Sequence, residues 1–194
     1  MAAIAELVNK IVYCWRQSAT NKKRRLSINL ATAFFVPKPF TPFQWERQTS
    51  PEEYLRRVHL LQSCLTARGV DYRYHESDLS RLEAVLARGD RRLSKVLLRA
   101  HELGCKLDGW DEYFRYDLWM QAFSDCGVDP EFYTTRGFGE DEILPWQTID
   151  IGVSRDFFLR ERALAYQSVT TPDCRTKCAG CGARSLSERG VCDE

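Results

Sequence analysis

Three prolines fall within six residues of the stretch Val36-Pro-Lys-Pro-Phe-Thr-Pro-Phe-Gln-Trp45. Proline fixes φ and lacks an N–H, so this stretch is neither helix interior nor central strand. It is an extended loop, and it carries Lys38, Phe40, Phe43, Gln44 and Trp45. The elements on either side must be built around it. Before it, residues 26–35 alternate as a strand does, with Leu26, Ile28, Leu30 and Thr32 on one face. The other face is small and polar: Ser27, Asn29, Ala31 and Ala33. After the loop, Ser50-Pro51-Glu52-Glu53 reads as a capping box with proline at the first helical position. That helix runs through Tyr54, Leu55, Val58, Leu61 and Leu65 and stops at Gly69, and residues 70–75 form a short second strand. Strand, helix, strand implies parallel pairing in an α/β fold. A rigid aromatic loop after a strand is where α/β barrels carry substrate-binding groups; its plainer use is to cover the rim. The small face of the first strand likewise suits a wall facing a ligand cavity or an ordinary half-exposed strand.

The rest of the chain is helical in pattern. Ile4, Leu7, Val8, Ile11, Val12 and Trp15 predict a helix over residues 2–18. Residues 76–88 and 93–104 give two more, broken at Gly89, and Trp110, Tyr113, Phe114, Tyr116, Trp119 and Phe123 predict an aromatic helix over 110–125. A short segment opens at Asp129-Pro130, an acidic loop covers 137–145, residues 149–153 read as a brief strand or an extended piece, and Ser154 caps a last helix with Asp156 in its first turn. The junction Arg88-Gly89-Asp90-Arg91-Arg92 offers guanidinium forks suited to carboxylate or phosphate. The alternative is a helix–helix turn with solvated charges. Lys22-Lys23-Arg24-Arg25 is a basic loop, and His59 sits on a helix as a packing or surface residue. With a net charge of +1, nothing global argues for nucleic acid, and no apolar run approaches the roughly 20 residues of a membrane helix. The amino terminus does not read as a secretory signal, so eight cysteines point to a reducing, cytoplasmic setting and to metal more than disulfides.

Four of those cysteines crowd the end: Cys174, Cys178, Cys181 and Cys192. The spacing C-x3-C-x2-C lets three thiolates reach one ion or cluster from a single loop. Gly180 and Gly182 permit the tight backbone that brings amides near sulfur. With Cys192 as the fourth ligand the site would be closed, holding an iron–sulfur cluster or tetrahedral zinc. The bland alternative is a tail of free thiols. Cys14, Cys64, Cys105 and Cys126 are expected to be buried thiols.

In order along the chain stand Val36-Pro-Lys-Pro-Phe-Thr-Pro-Phe-Gln-Trp45, Leu86-Ala-Arg-Gly-Asp-Arg-Arg92, Gly109-Trp-Asp-Glu-Tyr-Phe114, Leu144-Pro-Trp146, Ile149-Asp-Ile-Gly-Val-Ser154 and Thr171-Pro-Asp-Cys174. Together they resemble the carboxyl-terminal half of radical S-adenosylmethionine proteins that carry an amino-terminal cobalamin-binding domain. The resemblance implies a partial βα barrel over 1–108, a helical extension over 109–167 and a Cys-rich metal-binding tail over 168–194. It implies that Asn29, Lys38, Gln44, Arg88, Asp90 and Arg91 border the cofactor or substrate. In that family the radical-generating C-x3-C-x2-C lies near the start of the barrel, where one iron stays open for S-adenosylmethionine. Here only 13 residues follow Cys181, so the expectation is an auxiliary or structural metal site. The cobalamin domain and the catalytic cluster loop are then expected on a separately encoded partner, without which the chain is not catalytic. The alternative is a stand-alone, non-catalytic iron–sulfur or zinc-binding interaction module.

Overall fold

The structure, a computed structural model, describes residues 1–21 and 24–183. Lys22, Lys23 and Cys192 lie outside the described residues. Six α-helices and one two-stranded parallel sheet are found among the described residues, so the chain is mixed α/β and mostly helical. It divides into two compact units: Met1–Val36 with Thr49–Leu82, and Pro37–Gln48 with the chain from Glu83 onward. The proline-rich loop therefore leaves the first unit between its two strands and belongs to the second.

The first unit is a β–α–β arrangement with a helix before it. Helix α1 (Ala2–Ser18) buries Ala5, Val8 and Val12 and packs on α2 (Pro51–Cys64). Strand β1 (Ile28–Thr32) pairs in parallel with β2 (Val70–Tyr74), Ile28 opposite Val70 and Thr32 opposite Tyr74. Phe34 stacks on Tyr54 with ring centroids 4.3 Å apart, and Val58 completes a buried cluster with them. Burying each such side chain contributes roughly 1.5–3 kcal/mol. The alternation expected of β1 holds: Ile28, Leu30 and Thr32 are half-buried, while Asn29 and Ala31 are exposed. Across the register they stand beside exposed Asp71 and Arg73, so this face of the pair is polar and open.

The helix signals hold in part. Ser50 Oγ accepts the Glu53 N–H at 3.3 Å, as a cap should. The Glu53 carboxylate does not complete the box but turns to Arg56 and Arg57, at 2.6 and 2.8 Å. Helix α2 also ends at Cys64, short of Gly69. Gly69 instead turns the chain into β2 at φ +83°, pressed so close that a Cβ would lie 2.5 Å from the Leu26 carbonyl oxygen.

In the second unit, α3 (Ser77–Arg88), whose carboxyl-terminal residues belong here, is followed by α4 (Leu93–Glu102), α5 (Tyr116–Asp125) and α6 (Arg155–Tyr166). Gly89 separates α3 from α4 because a Cβ there would sit 2.9 Å from the Val85 carbonyl oxygen and within Leu93. The helix expected over 110–125 is corrected: only Tyr116–Asp125 is helical. Leu107 sits at φ +58° and starts successive turns, in which the Leu107 carbonyl accepts the Trp110 N–H and the Trp110 carbonyl accepts those of Tyr113 and Phe114. Trp110 and Tyr113 are consequently exposed. Their spacing mimicked a helix, but the turn at Leu107 and Gly109 consumed it. Residues 149–153 form a bent connector, not a strand, and Ser154 caps α6 by accepting the Phe157 N–H at 3.2 Å.

Candidate functional site

The proline-rich loop folds on itself through one side chain. Phe40 holds φ +57°, an unusual conformation for a bulky residue. Its N–H donates to Gln44 Oε1 at 3.2 Å, and the same oxygen accepts the Trp146 indole N–H at 2.7 Å. Gln44 is 4% exposed. Its backbone oxygen accepts Arg88 Nη2 at 3.3 Å, which ties α3 to the loop. Around this corner Trp45, Phe138, Leu144, Trp146 and Phe158 make one buried cluster of the unit.

Arg88 is fully buried, with its guanidinium 4.5 Å above the Phe138 ring centroid. Arg136 approaches the same ring at 4.8 Å. No carboxylate pairs with Arg88, and its Nε and Nη1 have no protein partner among the described residues. Desolvation brings the guanidinium down to about 10, with Arg136 pushing the same way and Glu46 opposing. It stays cationic at neutral pH, and its place is structural: it holds the Gln44 carbonyl and the Phe138 ring.

A cleft of about 240 Å³ opens beside this corner. Phe40, Gln44, Trp146, Ile151, Val153 and Phe158 are among the residues that line it. Asp150, Arg155, Glu142 and Gln147 supply its polar lining. Glu142 is committed to Arg136 at 2.7 Å, whose guanidinium holds its carboxyl below the usual carboxylate range. One Asp150 oxygen accepts the Gly152 N–H at 2.7 Å, and Arg155 donates to the Glu140 carbonyl.

Of the residues singled out in the sequence, Gln44 and Arg88 are brought into contact. Lys38 pairs with Glu83 on the surface. Asp90 binds the Arg92 guanidinium at 2.7 Å and accepts the Tyr133 hydroxyl at 3.1 Å; the Arg92 hydrogen bond lowers its pKa. Arg91 is exposed, and its carbonyl accepts the Ser94 N–H at the start of α4. Asn29 lies in the other unit, on the open face of the sheet. Trp146, Phe158, Ile151 and Val153 were missed as site residues. The bond between Trp146 and Gln44 spans 102 residues, so no local pattern announces it; the only signal is that a buried indole N–H requires an acceptor.

The cysteine loop lies against the segment that opens α6. Ser154 N–H donates to the Cys181 carbonyl at 2.8 Å, and Arg160 donates to that of Ala179. Gly182 sits at φ +95°, and a Cβ there would lie 2.9 Å from the Gly152 carbonyl oxygen. Within the loop Gly180 N–H donates to Cys178 Sγ and Ala183 N–H to Cys181 Sγ, both at 3.4 Å. Cys174 begins a turn in which Asp173 accepts the Arg175 N–H at 2.9 Å. Cys174 and Cys178 are exposed and Cys181 is half-buried. Among the described residues no three metal-ligating side chains converge on one point. The donor chemistry fits a soft metal all the same: three thiols share one loop, and two of them already receive backbone amides. The expected burial of the other four is corrected. Only Cys105 is buried, its thiol pushed up by desolvation; Cys64 and Cys126 are half-buried, and Cys14 is exposed because it lies on the outer side of α1. No helix among the described residues is long and apolar enough to cross a membrane. No family model, no curated protein and no solved structure matches this chain.

Proposed function

We propose that the chain is the carboxyl-terminal part of a radical S-adenosylmethionine-type iron–sulfur protein, and that its cysteine loop holds an auxiliary metal centre distinct from the radical-generating one. The observation that carries the metal reading is the pair of amides aimed at Cys178 Sγ and Cys181 Sγ. Backbone N–H groups directed at sulfur are the outer contacts that metal-bound cysteine loops use to orient their ligands. Cys174, Cys178 and Cys181 would be ligands, with Cys192 the candidate for the fourth. An iron–sulfur cluster there would supply one-electron transfer. What this chain contributes is a loop shaped by Gly180 and Gly182 and a fixed seat against residues 152–154.

The partial barrel is supported by the parallel β1–α2–β2 unit and by its open polar face. Parallel strands normally occur in sheets covered on both faces. Asn29, Ala31, Asp71 and Arg73 would face cofactor or substrate, with further strands supplied by the part of the protein that carries the cobalamin domain. A reducing, cytoplasmic setting would keep the thiols available.

Anaerobic reconstitution with iron and sulfide tests the reading. The expected product absorbs in the visible as an iron–sulfur protein and does not change when S-adenosylmethionine is added. A spectral change on that addition would reveal an open iron site and overturn the auxiliary assignment. One observation favours a second reading, a zinc-clipped, non-catalytic interaction module: the Cys181 carbonyl pins the loop to the start of α6, as a structural clip would. Stoichiometric zinc without cluster assembly supports that module.

A further inference from the structure

Residues 150–155 have two sides with different neighbours. Ile151, Val153 and Arg155 line the cleft. Gly152 and Ser154, between them, meet the cysteine loop through the Gly182 approach and the bond to the Cys181 carbonyl. One short segment is thus both a wall of the cleft and the seat of the loop. It leads directly into α6, whose Phe158 also lines the cleft.

The cleft has the character of a ligand site. Its walls include Phe40, Trp146, Ile151, Val153 and Phe158, and Asp150 and Arg155 contribute opposite charges to its lining. Such a balance favours an uncharged body over an ion. At about 240 Å³ it is smaller than the roughly 300–1,000 Å³ of sites for drug-sized ligands. It suits a single or fused ring.

We infer that this cleft binds a small, largely apolar ring compound, and that metal in the cysteine loop tightens the site by ordering the 150–155 segment. The inference rests on the metal reading above. Coupling of this kind is reciprocal, so ring compound and metal must raise each other's affinity by the same factor.

Indole is the probe, titrated calorimetrically into the full chain, once zinc-loaded and once stripped with chelator. The expected result is indole affinity on the order of fivefold or more higher in the loaded protein, with zinc affinity raised equally when indole saturates. Ser154→Pro, which removes the N–H bonded to the Cys181 carbonyl at a φ of −70° that proline adopts and leaves every residue of the cysteine loop unchanged, should bind zinc yet show the same indole affinity with and without it. Arg160→Met, which releases only the Ala179 carbonyl and leaves the Ser154–Cys181 bond in place, should keep the coupling, and loss of coupling in that variant overturns the route through residues 150–155. Ile151→Trp fills the cleft and should abolish indole binding while zinc uptake persists. Zinc uptake with unchanged indole affinity overturns the coupling but leaves the metal reading intact. Absence of zinc and iron uptake overturns both. Indole binding that survives Ile151→Trp overturns the cleft assignment.

Discussion

Two regions of the second unit hold their polar groups in opposite ways. At the Gln44–Arg88–Trp146 corner, buried side chains bond to one another and to a backbone oxygen: Gln44 takes the Trp146 and Phe40 N–H groups, and Arg88 takes the Gln44 carbonyl. In the cysteine loop it is backbone that makes the bonds, to Ser154 and to sulfur, while Cys174 and Cys178 remain exposed. The first arrangement spends its polar groups on architecture. The second secures the loop and leaves Cys174 and Cys178 at the surface. Polar residues in a motif therefore say little about chemistry until their partners are known. Arg88 and the cysteines looked equally functional by residue type, yet only the loop keeps its reactive groups accessible.

This contrast is broken most forcefully at the corner. Trp146→Ala removes a buried ring and its bond to Gln44 and should destabilise the protein by roughly 3–5 kcal/mol, measured by denaturant unfolding. Arg88→Ala should cost roughly 2–5 kcal/mol by leaving a cavity. Arg88→Met, which keeps the volume and removes a buried charge with no carboxylate partner, should stay within about 1 kcal/mol of the parent or exceed it. A large loss in Arg88→Met would show that its bond to the Gln44 carbonyl and its seat over Phe138 outweigh the cost of burying the charge.

Smaller effects follow from removing single polar groups. Tyr133 is buried, and desolvation, reinforced by its bond to Asp90, raises its phenol to about 12. Because the folded value lies above the ordinary 10.0, the stability involved is fully present below about pH 10 and is lost as pH rises toward about 12. Tyr133→Phe should cost about 1 kcal/mol at neutral pH and should flatten that alkaline decline, followed by unfolding at each pH. Smallest of all, Cys178→Ser should change metal-free stability by less than about 0.5 kcal/mol, as expected for an exposed side chain, while sharply reducing metal uptake measured by elemental analysis. A large stability loss without metal would place Cys178 with the corner, among the architectural groups.

Much of the local structure could be read from the chain. Helix α1, the Ser50 and Ser154 caps and the break at Gly89 rest on residues within a turn or two of each other, and the parallel pairing follows from the order strand, helix, strand. The site was less legible because its bonds are long-range. Gln44 was singled out for its loop, but its partners Trp146 and Arg88 stand 102 and 44 residues away. The failed helix at 110–115 is the converse case. Aromatic spacing there matched a helical face, while the left-handed Leu107 turned the backbone first.

The central claim is that the thiols of the loop bind metal directly. X-ray absorption at the metal edge of the reconstituted full-length chain tests it most directly. Thiolate ligation gives a first shell dominated by sulfur, at about 2.3 Å, which is lost in the Cys178→Ser variant. A first shell made only of nitrogen and oxygen, or metal retained unchanged in that variant, would contradict it.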